Sequence, residues 1–132
     1  MSPGKLTTRP ADKAWARGRR KVGDKYLEVA GVVDTEDGEA INVCVDLLTL
    51  AGIAAGDAIC AAALGERYSG PDHAAAATLL GRVDHKLGVK LKSLIDLKPG
   101  AHYGNALLSR RQRDAALRAA RELVAAARER TT

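Results

Sequence analysis

The stretch from Ala40 to Leu64 limits what this chain can fold into more than any other. Wound as a helix it is apolar on nearly every side, and its only charges are Asp46 and Asp57. A helix with so little polar surface is buried by neighbours over most of its circumference. At 100° per residue the two acids return to within about 20° of each other, so they share one stripe. A buried acid has to be hydrogen-bonded or paired, and that stripe must therefore face a partner. Gly52 and Gly56 lie one turn apart in the same helix. Each costs about 1 kcal/mol against Ala in a helix interior, which is tolerable where another helix approaches closely.

The neighbours have to come from the rest of the chain. Its 132 residues suffice for one domain with a real core. Aromatics make up 3% and Phe is absent, so the core must be helices meeting through small side chains, which predicts an all-α fold. Apolar or small residues at Ala11, Trp15, Gly18, Val22, Tyr26, Val29 and Val33 step by three and four. They mark a first helix over 10–33, opened by Pro10 in its first turn, after a frayed lead-in over 1–8. The second helix covers 38–64, with Asp37 as its cap and Gly65 as its stop.

A third helix is read over 71–97, capped by Ser69 or Gly70 and ended by Lys98-Pro99-Gly100. A fourth is read over 109–128, where Ser109 and Gln112 form a capping box. Four helices with short connections describe an antiparallel four-helix bundle, with room for an extra short helix.

The net charge of +5 is unevenly spread. Basic residues dominate 1–30 and 73–132, whereas 31–72 is acidic. This pattern suits internal complementarity, self-association or a polyanionic partner. Exposed arginines of the first and fourth helices, Arg17, Arg20, Arg110, Arg113 and Arg121, are the candidates for contacting a nucleic-acid backbone, which asks only for repeated positive charge. One Trp and three Tyr make a poor stacking platform for bases.

Cys44 and Cys60 are roughly 24 Å apart along one helix, too far to bond within it. They read as buried apolar groups of a reducing, cytoplasmic compartment. The start of the chain has no hydrophobic run and is expected to carry no signal peptide. The Leu47–Leu64 stretch is Ala- and Gly-rich, so no membrane span is expected. His73 and His85 lack further ligands at a metal-binding spacing, and neither a metal nor another cofactor is expected. There is no phosphate loop and no nucleophile elbow.

The chemistry-bearing constellation is Arg67-Tyr68-Ser69-Gly70-Pro71-Asp72-His73. Arg67 can hold a phosphate with its planar fork. His73, in the first turn of a helix, can move a proton. Together they would suit metal-independent RNA cleavage. The alternative is structural, with His73 capping its helix or pairing with Asp57. Asp57 in turn either orients Arg67 or His73, or neutralises an arginine from another helix, such as Arg82. His102 and Tyr103 can supply a second proton carrier or plug the end of the bundle.

The run GDAICAAALGERYSGPDHAAAATLL, followed by LIDLKPGAHYGN and SRRQRDAALRAARELVAAARE, resembles the small stand-alone HEPN domains of actinobacteria. The Ala/Arg bias fits a GC-rich bacterial source. The resemblance covers residues 10–128 and implies a helical bundle, a homodimer, and membership of a group with many metal-independent RNases of toxin–antitoxin or defence systems. It implies Arg67 and His73 as the catalytic pair in a site shared across the dimer, RNA as substrate, and an antitoxin or other protein as partner; Asp57 joins the candidate catalytic residues by its position alone. One departure stands against this. Better-known HEPN toxins carry the Arg/His motif just before the last long helix, where this chain has His102-Tyr103-Gly104-Asn105. The competing expectation is a non-catalytic helical module that dimerises and binds a protein or RNA.

Overall fold

The computed structural model describes residues 6–34, 38–103 and 107–132, with the side chains at 98–103 excepted. In chain order the elements are β1 (Thr8–Pro10), α1 (Lys13–Val33), α2 (Gly38–Leu64), β2 (Glu66–Tyr68), α3 (His73–Val83), α4 (His85–Tyr103) and α5 (Arg110–Arg130). The chain is predominantly helical, as its composition requires. α2 occupies the middle and packs against each of the other four helices. Its helical span matches the sequence reading, and the Asp37 cap expected before it lies outside the described residues. By length and composition α2 could cross a bilayer, with mean hydropathy 1.9 over its most apolar window, but 67% of that window is buried inside the protein.

Small residues set the helix spacing. Gly23 of α1 lies against Ala51, Ala54 and Ala55 of α2, where an added Cβ would meet the Ala51 carbonyl oxygen at 3.3 Å. On another side of α2, Gly52 and Gly56 receive Leu91 and Leu94 of α4, Leu123 of α5 and Leu80 of α3. The packing role expected of these two glycines is what the structure has. The largest fully buried side chains, Leu48, Ile59, Leu80, Leu91, Leu94 and Leu123, form the core around them. Thr49, itself buried, donates to the Val45 carbonyl at 2.9 Å and reaches the Leu94 carbonyl at 3.3 Å. That satisfies its hydroxyl in a site where an unmade hydrogen bond would cost about 1–3 kcal/mol.

Three expectations are corrected. Pro10 does not open a helix. It ends β1, and Asp12 caps α1 by accepting from the Trp15 N–H at 2.7 Å. The lead-in is not frayed over residues 6–8, since the Thr7 carbonyl accepts from the Ser69 N–H at 3.0 Å and Leu6 packs on the core. The single helix over 71–97 is two helices meeting at Asp84, the first capped by Asp72 rather than Ser69 or Gly70. The second does not stop at Lys98-Pro99-Gly100 and runs on to Tyr103. At the corner, Gly88 lies against the backbone of Gly81 and Ala77. The capping box of Ser109 and Gln112 forms as read, with both hydrogen bonds made.

Much of the charge asymmetry is used internally. Arg113 bonds Asp34 at 2.8 Å, Arg128 bonds Asp24 at 2.9 Å and Arg130 bonds Asp84 at 2.8 Å. The first two tie α5 to α1, and the third ties the end of α5 to the α3–α4 corner.

Candidate functional site

α2 ends where Gly65 adopts φ +67°, a left-handed conformation that glycine enters without a Cβ penalty. The chain turns back into β2, which pairs antiparallel with β1 in the register Thr8–Tyr68, Arg9–Arg67 and Pro10–Glu66. Ala11 N–H then donates to the Gly65 carbonyl at 2.9 Å, fastening the start of α1 to the end of α2. The joint carries the candidate site.

Four side chains converge there. The Arg67 guanidinium carbon lies 5.2 Å from the centroid of the Trp15 ring, within range of a cation–π contact. Asp57 accepts from Arg19 Nε at 3.2 Å, and the two side chains are 17% and 31% exposed. Burial pushes the Asp57 carboxyl above its ordinary value, and the charges of Arg19 and Arg67 and the Arg19 hydrogen bond oppose that shift without reversing it. The folded protein thus holds an acid whose ionised form costs stability, an arrangement that clusters at functional sites. Directly across the ladder from Arg67 stands Arg9, and residues so paired share one face of a sheet.

The structure brings Asp57 and Arg67 together, as the sequence suggested. The arginine that bonds Asp57 is Arg19 of α1, and not Arg82. A signal for it exists in the sequence, because Arg19 falls in the run Trp15, Arg19, Val22, Tyr26, Val29, Val33, spaced by four and three along a largely apolar flank. His73 is exposed on the first turn of α3, and the groups acting on Asp57 are the two arginines. The connector between Arg67 and His73 is pinned. The Tyr68 hydroxyl accepts from the Asp72 N–H at 3.1 Å, and Asp72 accepts from Ala74 N–H at 3.0 Å.

Of the arginines proposed for nucleic acid, Arg20 bonds Asp24 at 3.1 Å and Arg113 bonds Asp34 and Asp114. Arg17, Arg110 and Arg121 are exposed. The side chains of His102 and Tyr103 lie outside the described residues. Both cysteines are buried and form no disulfide, and the Cys44 thiol donates to the Ala30 carbonyl at 3.5 Å. Burial pushes Cys44 up to about 11 and Cys60 up to about 12, the nearby charges of Asp34 and Asp57 adding to it, so neither is a thiolate nucleophile near neutral pH. Among the described residues no group of three His, Cys, Asp or Glu is placed to hold a metal ion.

No protein-family model, curated protein or solved structure matches this chain. Its function has to be argued from the joint itself.

The Asp57 environment makes a signed prediction. Its folded-state pKa lies above the unfolded value of 3.8. The stability linked to the protonated carboxyl is therefore complete below 3.8 and is lost as pH rises through the folded value. Asp57→Asn is expected to be at least as stable as the parent at pH 7, with less loss of stability between pH 4 and pH 7. Arg19→Ala should do the opposite, weakening the protein most at pH 7, where Asp57 is charged. Urea midpoints across that range measure both, and a large drop for Asp57→Asn at pH 7 would contradict the assignment.

Proposed function

We propose that this chain is a non-catalytic helical module that binds RNA through its phosphates, built as a HEPN-like antiparallel four-helix bundle in which α3 and α4 together are one broken helix. The observation that carries the reading is the state of Arg67. Its guanidinium rests on Trp15 and is held by the field of Asp57, which suits a fixed phosphate contact better than a mobile catalytic group. Arg19 and Arg67 act on the one carboxylate of Asp57, and Arg9 stands across the ladder from Arg67, a surplus of positive charge that a phosphate backbone would offset. A second copy of the chain belongs to this proposal, seated on the exposed valines Val22 and Val29 of α1 and Val43 of α2.

Fluorescence anisotropy with a labelled single-stranded RNA at increasing salt is the test. Affinity should fall linearly on logarithmic axes with a slope of about −0.7 for each phosphate contacted, and Arg67→Ala should make the slope shallower. Absence of binding at low salt would sink the reading. Light scattering on the same sample reports whether the bound species is a dimer.

The exposure of His73, six positions after Arg67 at the start of α3, favours a second reading, a metal-independent RNase of a toxin–antitoxin or defence system. Incubating the same RNA with the protein separates the two. Intact RNA supports the module, and cleavage abolished by both Arg67→Ala and His73→Ala supports the RNase.

A further inference from the structure

Next to the joint, the first two turns of α1 meet the last turns of α2 and α5 around a notch of about 160 Å³. Its floor is Ala16 and Ala62, and its walls carry Lys13, Arg17 and Arg130. Thr131 and Thr132 complete the lining, but their hydroxyls donate to the Ala127 and Glu129 carbonyls. The side-chain donors left lining the notch are therefore those of the three cations. Arg130 already bonds Asp84 at 2.8 Å. Lys13 and Arg17 have no ion pair among the described residues, and Asp12, the acid nearest Lys13 in sequence, is turned to cap α1.

The local charge does not balance. Against three positive side chains stand two acids, Asp84 bonded to Arg130 and Asp12 capping α1, which leaves one positive charge over. Like charges gathered around a recess are costly unless an anion shares them. The recess has room for roughly five waters at about 30 Å³ each, enough to admit a phosphate group.

We propose that this notch is a binding site for a phosphate-monoester dianion, held by Lys13, Arg17 and Arg130. Free phosphate and the 5′ end of an RNA present the same chemistry. The 5′-phosphate version rests on the RNA reading above, and the free-phosphate version does not.

The experiment is calorimetric titration of the full chain, at constant ionic strength, with inorganic phosphate, with a 5′-phosphorylated RNA trinucleotide and with the same trinucleotide bearing a 5′-hydroxyl. Binding of phosphate, together with at least a tenfold preference for the 5′-phosphorylated RNA, is the expected result. Arg17→Gln and Lys13→Gln should each weaken it about tenfold. Arg118→Gln, which removes an exposed charge of α5 that does not line the notch, should leave it unchanged. Phosphate bound without preference between the two RNAs supports the site, assigns it to the free anion and overturns only its 5′-phosphate version. No phosphate binding, or equal effects of Arg17→Gln and Arg118→Gln, overturns the site.

Discussion

Gly88→Ala is expected to destabilise the protein by about 3 kcal/mol, the upper part of the range for overpacking a close contact, and to lower its melting temperature by roughly 10 °C for a chain of this size. The reason is that its new Cβ would have only backbone to push against. It would stand 2.6 Å from Gly81 Cα, 2.8 Å from Gly81 N and 3.0 Å from the Ala77 carbonyl oxygen. A side chain can rotate away from such a contact, whereas two helices must separate.

They are held together on a short tether. Asp84 is the single residue between α3 and α4; its N–H donates to the Leu80 carbonyl at 2.9 Å and its carboxylate accepts from Leu87 N–H at 3.2 Å. The Leu87 N–H and Arg130 hold that carboxylate below its ordinary range, so this capping is lost as pH falls through the folded value. Gly81→Ala supplies the control. Its Cβ would meet nothing within 4 Å, and helix propensity should make it neutral or stabilising by about 0.5–1 kcal/mol. Thermal melts of both variants decide the matter. Equal effects would mean that α3 and α4 do not meet at these glycines.

The same corner shows what sequence reasoning can and cannot reach. Ala76, Leu79, Leu80, Val83, Leu87, Leu91 and Leu94 keep steps of three and four straight across Asp84, so one long helix and two short ones produce the same apolar pattern. The break is encoded in Gly81 and Gly88, whose meaning depends on a contact that periodicity does not contain. β1 was invisible for a related reason, because three residues carry no alternation and the strand exists only through β2. By contrast, the bounds of α2 and the Ser109–Gln112 box are local chemistry and were readable. At the joint, the need of Asp57 for a cation followed from its burial alone. Which cation answered it depended on how α1 is rotated, and Arg19 sits on the edge between the polar and apolar faces of that helix.

Leu91→Ala is expected to cost about 3–5 kcal/mol, because truncating a buried leucine loses transfer energy and leaves a cavity that rigid surroundings close only in part. Leu91 is 1% exposed, and its two methyl groups are directed at two different glycines of α2. A Cβ on Gly56 would meet Leu91 Cδ2 at 3.0 Å and Leu80 Cδ2 at 3.3 Å, while one on Gly52 would meet Leu91 Cδ1 at 3.5 Å and Leu94 Cδ1 at 2.5 Å. Gly56→Ala alone therefore sets a gain in helix propensity of about 1 kcal/mol against crowding of Leu91, and should be close to neutral or destabilising. In the Leu91→Ala background the crowding partner is gone and part of the new cavity is filled by the added methyl, so the same substitution should stabilise. A double-mutant cycle read from urea unfolding should show a coupling of about 1 kcal/mol or more, as expected for residues in contact. Additive effects would mean that the glycines serve the backbone of α2 itself rather than the entry of Leu91. The cycle thus tests whether the central helix is apolar all round because its neighbours reach into it, the arrangement that also carries Asp57 to the joint.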